Sequence, residues 1–455
     1  MVDYIGKVAP GSTRQEIIIY SSDSIETDYI LIKEGNKRYI YEVNAIETFN
    51  ERLQDTAYFR IMREGDDYSK YNIFKTNASF IGVLEGNKIG NDFFYIASPG
   101  TKVYKTEIED IKKIFDISEE FDRIKIGTFY RQNNITVNIN FEKLLSTHAS
   151  VLGRTGSGKT FFVSNLLTKL KSKYIVISPE NEYKDLINNL DLFNCNDIPV
   201  GVDISKCKSA FGFNESEYLY FHQYQSTIKN LESISSIRLA EDIRSYYDVL
   251  YQDKQQTFFT VEINKKKIEL QRDIASLCDK LIDTNIEIFL KEKQHNNNNY
   301  PIIFSTEGLN EFAEKISVNT FLSTLLKNRK IEYRCSNNKL DNIYIVLEEA
   351  HNYAPSVKTT KCKDIIVQIA REGRKYGLHL LVLSQRPRHI DQTLLSQCGT
   401  NIIFNLPNPQ DIEYVMEHTS FYSEKSKKTI QNLRRGECII TSNIRKNDII
   451  CNVSF

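Results

Sequence analysis

Apolar residues recur along this chain in two different rhythms. Over residues 1–115 they alternate with polar ones in short runs, "QEIIIYSS", "DYILIKEGNKRYIYEV" and "SFIGVLEGNK", separated by Gly, Asn and Asp. Alternation with a period of two predicts half-buried strands, and the glycine inside "IKEGNKRYIYEV" predicts a hairpin turn. These residues read as a small all-β unit, a barrel. Over residues 116–455 the apolar runs are continuous and strand-length, and helical patterns lie between them. Strands are expected at "HASVLG", "KYIVISP", "YPIIFST", "NIYIVLEE", "LHLLVLSQ" and "TNIIFNLP". Strands alternating with helices imply a parallel sheet.

Between the second and third of these runs, about residues 205–298, the period changes to that of amphipathic helices, as in "ESEYLYFHQYQSTIKNLESISSIRLAEDIRSYY". The segment closes with the polar run "HNNNN". It reads as a helical insertion in the α/β domain rather than a separate domain.

Composition narrows the picture. At 455 residues the chain has room for two to three domains at about 150 residues each. Lys plus Arg and Asp plus Glu both number 59, so no overall basic excess argues for nucleic-acid binding, and any such contact must come from local loops. The eight cysteines begin at Cys195 and form no C-x-x-C pair, which suggests free thiols in a cytosolic protein rather than zinc or redox chemistry. No apolar run approaches the ~20 residues of a membrane span. A cytoplasmic protein with no membrane contact is expected.

One stretch changes the picture most. "VLGRTGSGKTFF" places Gly153, Arg154, Thr155, Gly156, Ser157, Gly158, Lys159 and Thr160 in the order G-x-x-x-x-G-K-[ST], after a strand and before an apolar helix. A chain of phosphates needs converging donors. Glycines let successive backbone N–H groups curl inward, and the following helix adds its positive end. Lys159 is expected to reach the β- and γ-phosphates, and Thr160 to hold Mg²⁺ through its hydroxyl.

Such a site needs acid at the end of another strand. In "DNIYIVLEEAHNYAP" Glu348 and Glu349 follow the apolar run directly. Glu348 is assigned to the water shell of Mg²⁺ and Glu349 to polarising the attacking water; a solvated acidic face is the plainer alternative. The strand "LHLLVLSQRP" ends in Ser384 and Gln385. Gln385 is expected either to sense the γ-phosphate or merely to cap an exposed edge.

Together, "HASVLGRTGSGKT", "VLEEAHNYAP", "AREGRKYGLHLLVLSQRP" and "LRRGECII" resemble the HerA group of the HerA–FtsK ATPases. The resemblance spans most of the chain, and "ASPGTKVYKTEIEDI" is similar to the end of the small barrel that precedes the motor in that family. It implies a RecA-like core, a homo-hexameric ring with ATP between subunits, and movement of double-stranded DNA through a central channel. It also implies that Arg374, with Arg371 as second choice, faces the neighbouring subunit's nucleotide. Ser178 departs from the family pattern, standing where an aspartate is common, while Glu182 and Tyr183 are kept.

Partners of such motors are nucleases or, in phage defence, sirtuin-like effectors, and this chain carries no signature of either. Lys358, Lys361 and Lys363 after the acidic strand, and Arg386 and Arg388 after Gln385, are the local cations available to DNA, or only to solvent. Two other readings stay open: an ATP-binding ring that assembles and activates a partner enzyme, and an unrelated P-loop enzyme such as a small-molecule kinase.

Overall fold

The glycine-containing turn expected near residue 35 joins two strands of the N-terminal unit. β3 (Tyr29–Glu34) and β4 (Lys37–Phe49) pair antiparallel with Glu34 opposite Lys37, leaving a two-residue loop in which Gly35 has φ of 59°. A positive φ is cheap only without a Cβ, and it matches the twist of a tight hairpin.

The structure is a computed structural model. It describes the chain outside residues 1–3, 50–72, 87, 91–94, 118–122, 131, 171, 181–182, 184–190, 195–213, 215, 218–219, 222–239, 241, 247–271, 273–275, 277–300, 310, 337–339, 358–359, 420–423, 444–446 and 454–455. The expected helical insertion at about 205–298 falls mostly outside the described residues, as does Glu182. Two compact units emerge, residues 1–139 with 446–449, and residues 140–445 with 450–455.

In the first unit, β1 (Tyr4–Val8), β2 (Glu16–Ser21), β3, β4, β5 (Ile73–Glu85) and β7 (Lys102–Lys105) form a closed ring. The neighbours run β2-β1-β7-β3-β4-β5, and β2 pairs antiparallel with β5, Glu16 opposite Ser79. Closure removes both sheet edges. The small barrel expected from the alternation is therefore present, with β6 (Lys88–Ile89) as a short appendage on β5. Inward positions on alternating residues, Ile17 and Ile19, Ile30 and Ile32, Tyr39 and Tyr41, make its core. The hairpin of β8 (Ile124–Phe129) and β9 (Gln132–Ile139) completes this unit.

The second unit contains β10 (Ala149–Leu152), β11 (Lys173–Ser178), β12 (Asp191–Asn194), β13 (Ile302–Ser305), β14 (Ile343–Leu347), β15 (Leu378–Ser384), β16 (Thr400–Ile403), β17 (Glu437–Ser442) and β18 (Ile449–Val453). Their order in the sheet is β12-β13-β11-β14-β15-β10-β16-β17-β18. Pairing is parallel from β12 to β16 and turns antiparallel at β17. Every residue of β10, β13, β14, β15 and β16 is buried. This explains why these strands read as continuous apolar runs.

Parallel pairing sets all the carboxyl ends on one edge of the sheet, the edge at which α/β proteins bind ligands. In register, Leu152 lies beside Ser384, Val382 beside Leu347, and Leu347 beside Ile177. The acidic strand β14 is thus separated from the phosphate-loop strand β10 by β15. The strand between them ends in Ser384 and is followed directly by Gln385.

Candidate nucleotide site

The phosphate loop leaves β10 as a curl braced by its neighbours. The amide of Gly153 donates to the Ser384 carbonyl at 3.3 Å and that of Arg154 to the Asn405 carbonyl at 3.0 Å. Ser157 closes the turn, its hydroxyl donating to the Arg154 carbonyl at 2.7 Å, and its own carbonyl accepts from the Gly436 amide at 3.0 Å. A Cβ at Gly153 would come within 2.6 Å of the Phe404 side chain, so the close approach of loop and β16 needs glycine there. Gly158 has φ of 112° and caps the helix Lys159–Lys169, whose Phe162, Val163, Leu166 and Leu167 are buried. That helix therefore points its amide end into the loop.

The ammonium of Lys159 rests on its own loop, donating to the carbonyls of Gly153 at 2.7 Å and Arg154 at 3.0 Å. Thr155 donates its hydroxyl hydrogen to Oε1 of Gln385. The strand-end glutamine therefore touches the phosphate loop rather than lying on an edge.

The acidic pair splits into two environments. Glu348 is buried, and the hydroxyl of Ser178 at the end of β11 donates to its Oε2. The serine at the departing position thus touches the first glutamate. Glu349 is more open and sits in the left-handed backbone region at φ 46°, ψ 46°. For a residue with a Cβ that conformation costs roughly 1–3 kcal/mol and persists only where the surroundings impose it. Its Oε2 lies 3.1 Å from Nδ1 of His351, an ion-pair distance, but outside hydrogen-bond alignment. The same Nδ1 lies 3.1 Å from Oγ of Ser384 in aligned geometry.

These elements face one cleft of about 270 Å³, lined by Thr155, Gly156, Gly158, Lys159, Thr160, Phe161, Pro179, Glu180, Glu348, Glu349, Leu383, Ser384, Gln385 and Arg435. Lys159, Thr160, Glu348, Glu349 and Gln385 all come together there. Sequence reasoning gave no role to Phe161, Glu180, His351 or Arg435. The signals were present: His351 stands two residues after the acidic pair, and Arg435 lies in "LRRGECII" immediately before the glycine that binds Ser157.

Arg374 is elsewhere. It is exposed in the turn Gly373–Tyr376, before β15 begins, whereas Gln385 follows where β15 ends. A seven-residue strand separates them, about 23 Å at 3.3 Å per residue. Near Arg374 lie two buried histidines. Burial, then the charges of His379 and Arg374, push His148 down to about 3. Burial, then Arg374, lower His379 to about 4.

Arg371 lines a separate groove with Lys363, Asp364 and Glu372. Lys363 is committed within the protein, 2.9 Å from Asp391 Oδ2 and donating to the Pro355 carbonyl at 2.9 Å. Burial alone would raise the Asp391 carboxyl, but the hydrogen bond and charge of Lys363 prevail and lower it. Arg388 donates to Gln410, and Arg386 is exposed. Lys358 and the side chain of Lys361 lie outside the described residues. Among the described residues, no helix is long and apolar enough to cross a membrane.

A parallel sheet with a glycine-rich phosphate loop after one strand and paired acids at the end of another defines a P-loop ATPase with a RecA-like core. Residues 124–387 match the family model "Helicase HerA, central domain", more than half of the chain, and the chain belongs to this family. It is 26% identical to the DNA double-strand break repair helicase HerA of Saccharolobus solfataricus, over 97% of this chain and 90% of that protein. It is 23% identical to the protein of the same name from Pyrococcus furiosus, over 89% of this chain and 82% of that one. A probable helicase of Methanocaldococcus jannaschii is 27% identical over 91% and 83%. Among solved structures, VirB4 of Thermoanaerobacter pseudethanolicus aligns with a TM-score of 0.41 at 14% identity, covering 74% of this chain and 98% of that one.

Proposed function

We propose that this ATPase is a motor that moves double-stranded DNA, assembled as a homo-hexameric ring with ATP between neighbouring subunits. Names of the relatives support the DNA: two are double-strand break repair helicases. The observation that carries the reading is the division of the machinery. Phosphate loop, acids and Gln385 share one cleft, while Arg374 stands a full strand length away. An arginine at that distance serves no nucleotide on its own chain, but it suits one presented by a neighbour.

In this reading the triphosphate lies in the curl of Gly153, Arg154, Thr155, Gly156, Ser157 and Gly158. Lys159 moves from its loop carbonyls onto the β- and γ-phosphates. The donor set fits Mg²⁺: the cleft offers the Thr160 hydroxyl and the buried carboxylate of Glu348, hard oxygens of the kind this ion takes beside phosphate. Bound there, Mg²⁺ would neutralise charge between phosphate oxygens. Glu349 polarises the attacking water, and Gln385, tied to Thr155, registers the state of the loop. Arg374 of the next subunit stabilises charge that builds on the transferring phosphoryl group. Departure of the phosphate after hydrolysis carries that charge away from the arginine and lets the subunits move.

Contacts to DNA phosphates need no sequence preference, and one cation per subunit becomes six in a ring. Work beside a nuclease or sirtuin-like effector, in DNA end processing or phage defence inside the cytoplasm, belongs to the same reading. The test is phosphate release by the full chain with and without linear duplex DNA, together with native mass spectrometry. Stimulation by duplex DNA in a six-subunit species supports the motor. A rate indifferent to DNA, or a monomer at micromolar concentration, contradicts it.

A further inference from the structure

One imidazole stands between Glu349 and the end of β15. His351 sits in the short turn Ala350–Asn352, directly after Glu349, with a largely buried side chain. Its Nδ1 is 3.1 Å from Oε2 of Glu349 and 3.1 Å from Oγ of Ser384. Ser384 is the last residue of β15. Its carbonyl accepts from the Gly153 amide, its Oγ accepts from the Arg386 amide at 3.0 Å, and its neighbour Gln385 accepts from Thr155.

We propose that His351 is a positioning residue, which ties the water-facing carboxylate of Glu349 to the end of β15 and so to the occupancy of the phosphate loop. The inference deepens the reading of this cleft as an ATP site and rests on the role given there to Glu349.

The chemistry lies in one nitrogen with two oxygens at equal distance. With the proton on Nδ1, the N–H has two acceptors to choose between, the Glu349 carboxylate and the Ser384 hydroxyl. In the structure the aligned partner is Ser384, and the Glu349 oxygen stands beside the ring without an aligned donor. A small displacement of β15 toward or away from the loop changes which oxygen the N–H serves. When it serves Glu349, the carboxylate is held in one orientation; when it serves Ser384, the carboxylate is free to turn. Strand β15 moves with Gln385 and Thr155, so a γ-phosphate entering or leaving the loop is felt at Glu349. No proton is transferred to substrate by His351, and its effect is on the placement of the acid.

The experiment is steady-state ATP turnover by the full chain, with ATPγS affinity measured in parallel, in four single variants and one double variant. His351→Ala lowers kcat by up to about 100-fold, the cost of a misplaced catalytic group, with ATPγS affinity nearly unchanged. His351→Asn puts an amide nitrogen where Nδ1 stands and recovers most of the loss; His351→Gln puts it one bond further out and does not. Ser384→Ala lowers kcat, and adding it to His351→Ala brings no further loss, because both remove the same link.

Parental turnover in His351→Ala, equal activity of the Asn and Gln variants, or losses that multiply in the double variant would overturn the proposal. The Asn and Gln pair decides the matter even where His351→Ala fails to fold. A parent chain that binds and hydrolyses no ATP would instead sink the reading of the cleft itself.

Discussion

Thr155, in the middle of the phosphate loop, donates its hydroxyl hydrogen to Oε1 of Gln385, the residue that follows β15. The contact joins the ends of two neighbouring parallel strands, β10 and β15. A side chain placed there feels whatever the loop holds. Gln385→Ala should lower kcat about 10-fold, the worth of one hydrogen bond of about 1.4 kcal/mol, and leave nucleotide affinity nearly unchanged. Steady-state ATPase kinetics beside nucleotide titration checks this. An affinity loss at constant kcat would make Gln385 a binding group only.

Lys159→Ala should abolish turnover, a loss of at least about 100-fold, and weaken nucleotide binding. In the structure its ammonium also donates to the Gly153 and Arg154 carbonyls, so the loop loses an internal brace as well. Isothermal titration with ATPγS separates the two effects: weak binding is expected, and parental affinity would contradict the role of the lysine.

Arg374→Ala should remove about 1,000-fold of activity, the range of an arginine supplied in trans, with little change in affinity. Mixing Arg374→Ala chains with Glu349→Gln chains should restore turnover. Each mixed ring then contains interfaces where an intact Glu349 meets an intact Arg374. No restoration would place the arginine in its own chain's site or outside the reaction.

His148 and His379 make stability depend on pH. Burial first, then neighbouring charge, lowers both in the folded protein, to about 3 and about 4. The unfolded chain, with histidines near about 6.5, therefore takes up protons first as pH falls. Stability is full above about pH 6.5 and is lost toward about pH 4 for His379 and about pH 3 for His148, by up to about 1.4 kcal/mol per pH unit for each histidine. His148 has φ of 52°, and its Nδ1 accepts from the Leu380 amide at 2.9 Å. His148→Asn tolerates that backbone and offers a carbonyl to the same amide, so it should flatten the slope. Denaturant unfolding at pH 7.5 and pH 5 measures it; an unchanged slope would rule the histidine out.

How much of this was legible in the sequence depends on what each feature requires locally. The loop from Gly153 to Thr160 was fully legible, because phosphate binding fixes residue types at consecutive positions. The buried strands were legible because both faces of a parallel sheet demand apolar residues, and all six expected runs form strands. The hairpin at Gly35 was legible because a two-residue turn calls for glycine. Barrel closure was not: β2 and β5 meet across more than fifty residues, and nothing in either strand names its partner. The order of the strands was hidden for the same reason, and the place of β15 between β10 and β14 is visible only in the fold.

Contacts between side chains on different strands were the least legible. His351, within "EEAHNYAP", shows no role in its own segment, since its partner is Ser384, thirty-three residues on. Lys363 looked like a loop cation available to DNA, but Asp391 holds it, and only the fold brings those two together. Ser178 read as a departure from the family pattern, and the structure puts its hydroxyl on Glu348.

Single-turnover and steady-state hydrolysis by Glu349→Gln, with ATPγS binding measured on the same preparation, tests the central claim most directly. The account predicts parental nucleotide affinity with turnover reduced by about 100-fold or more, because the amide fits the same left-handed turn but polarises water poorly. Turnover near the parental rate would contradict it, and would move the water-polarising group to another residue of the cleft.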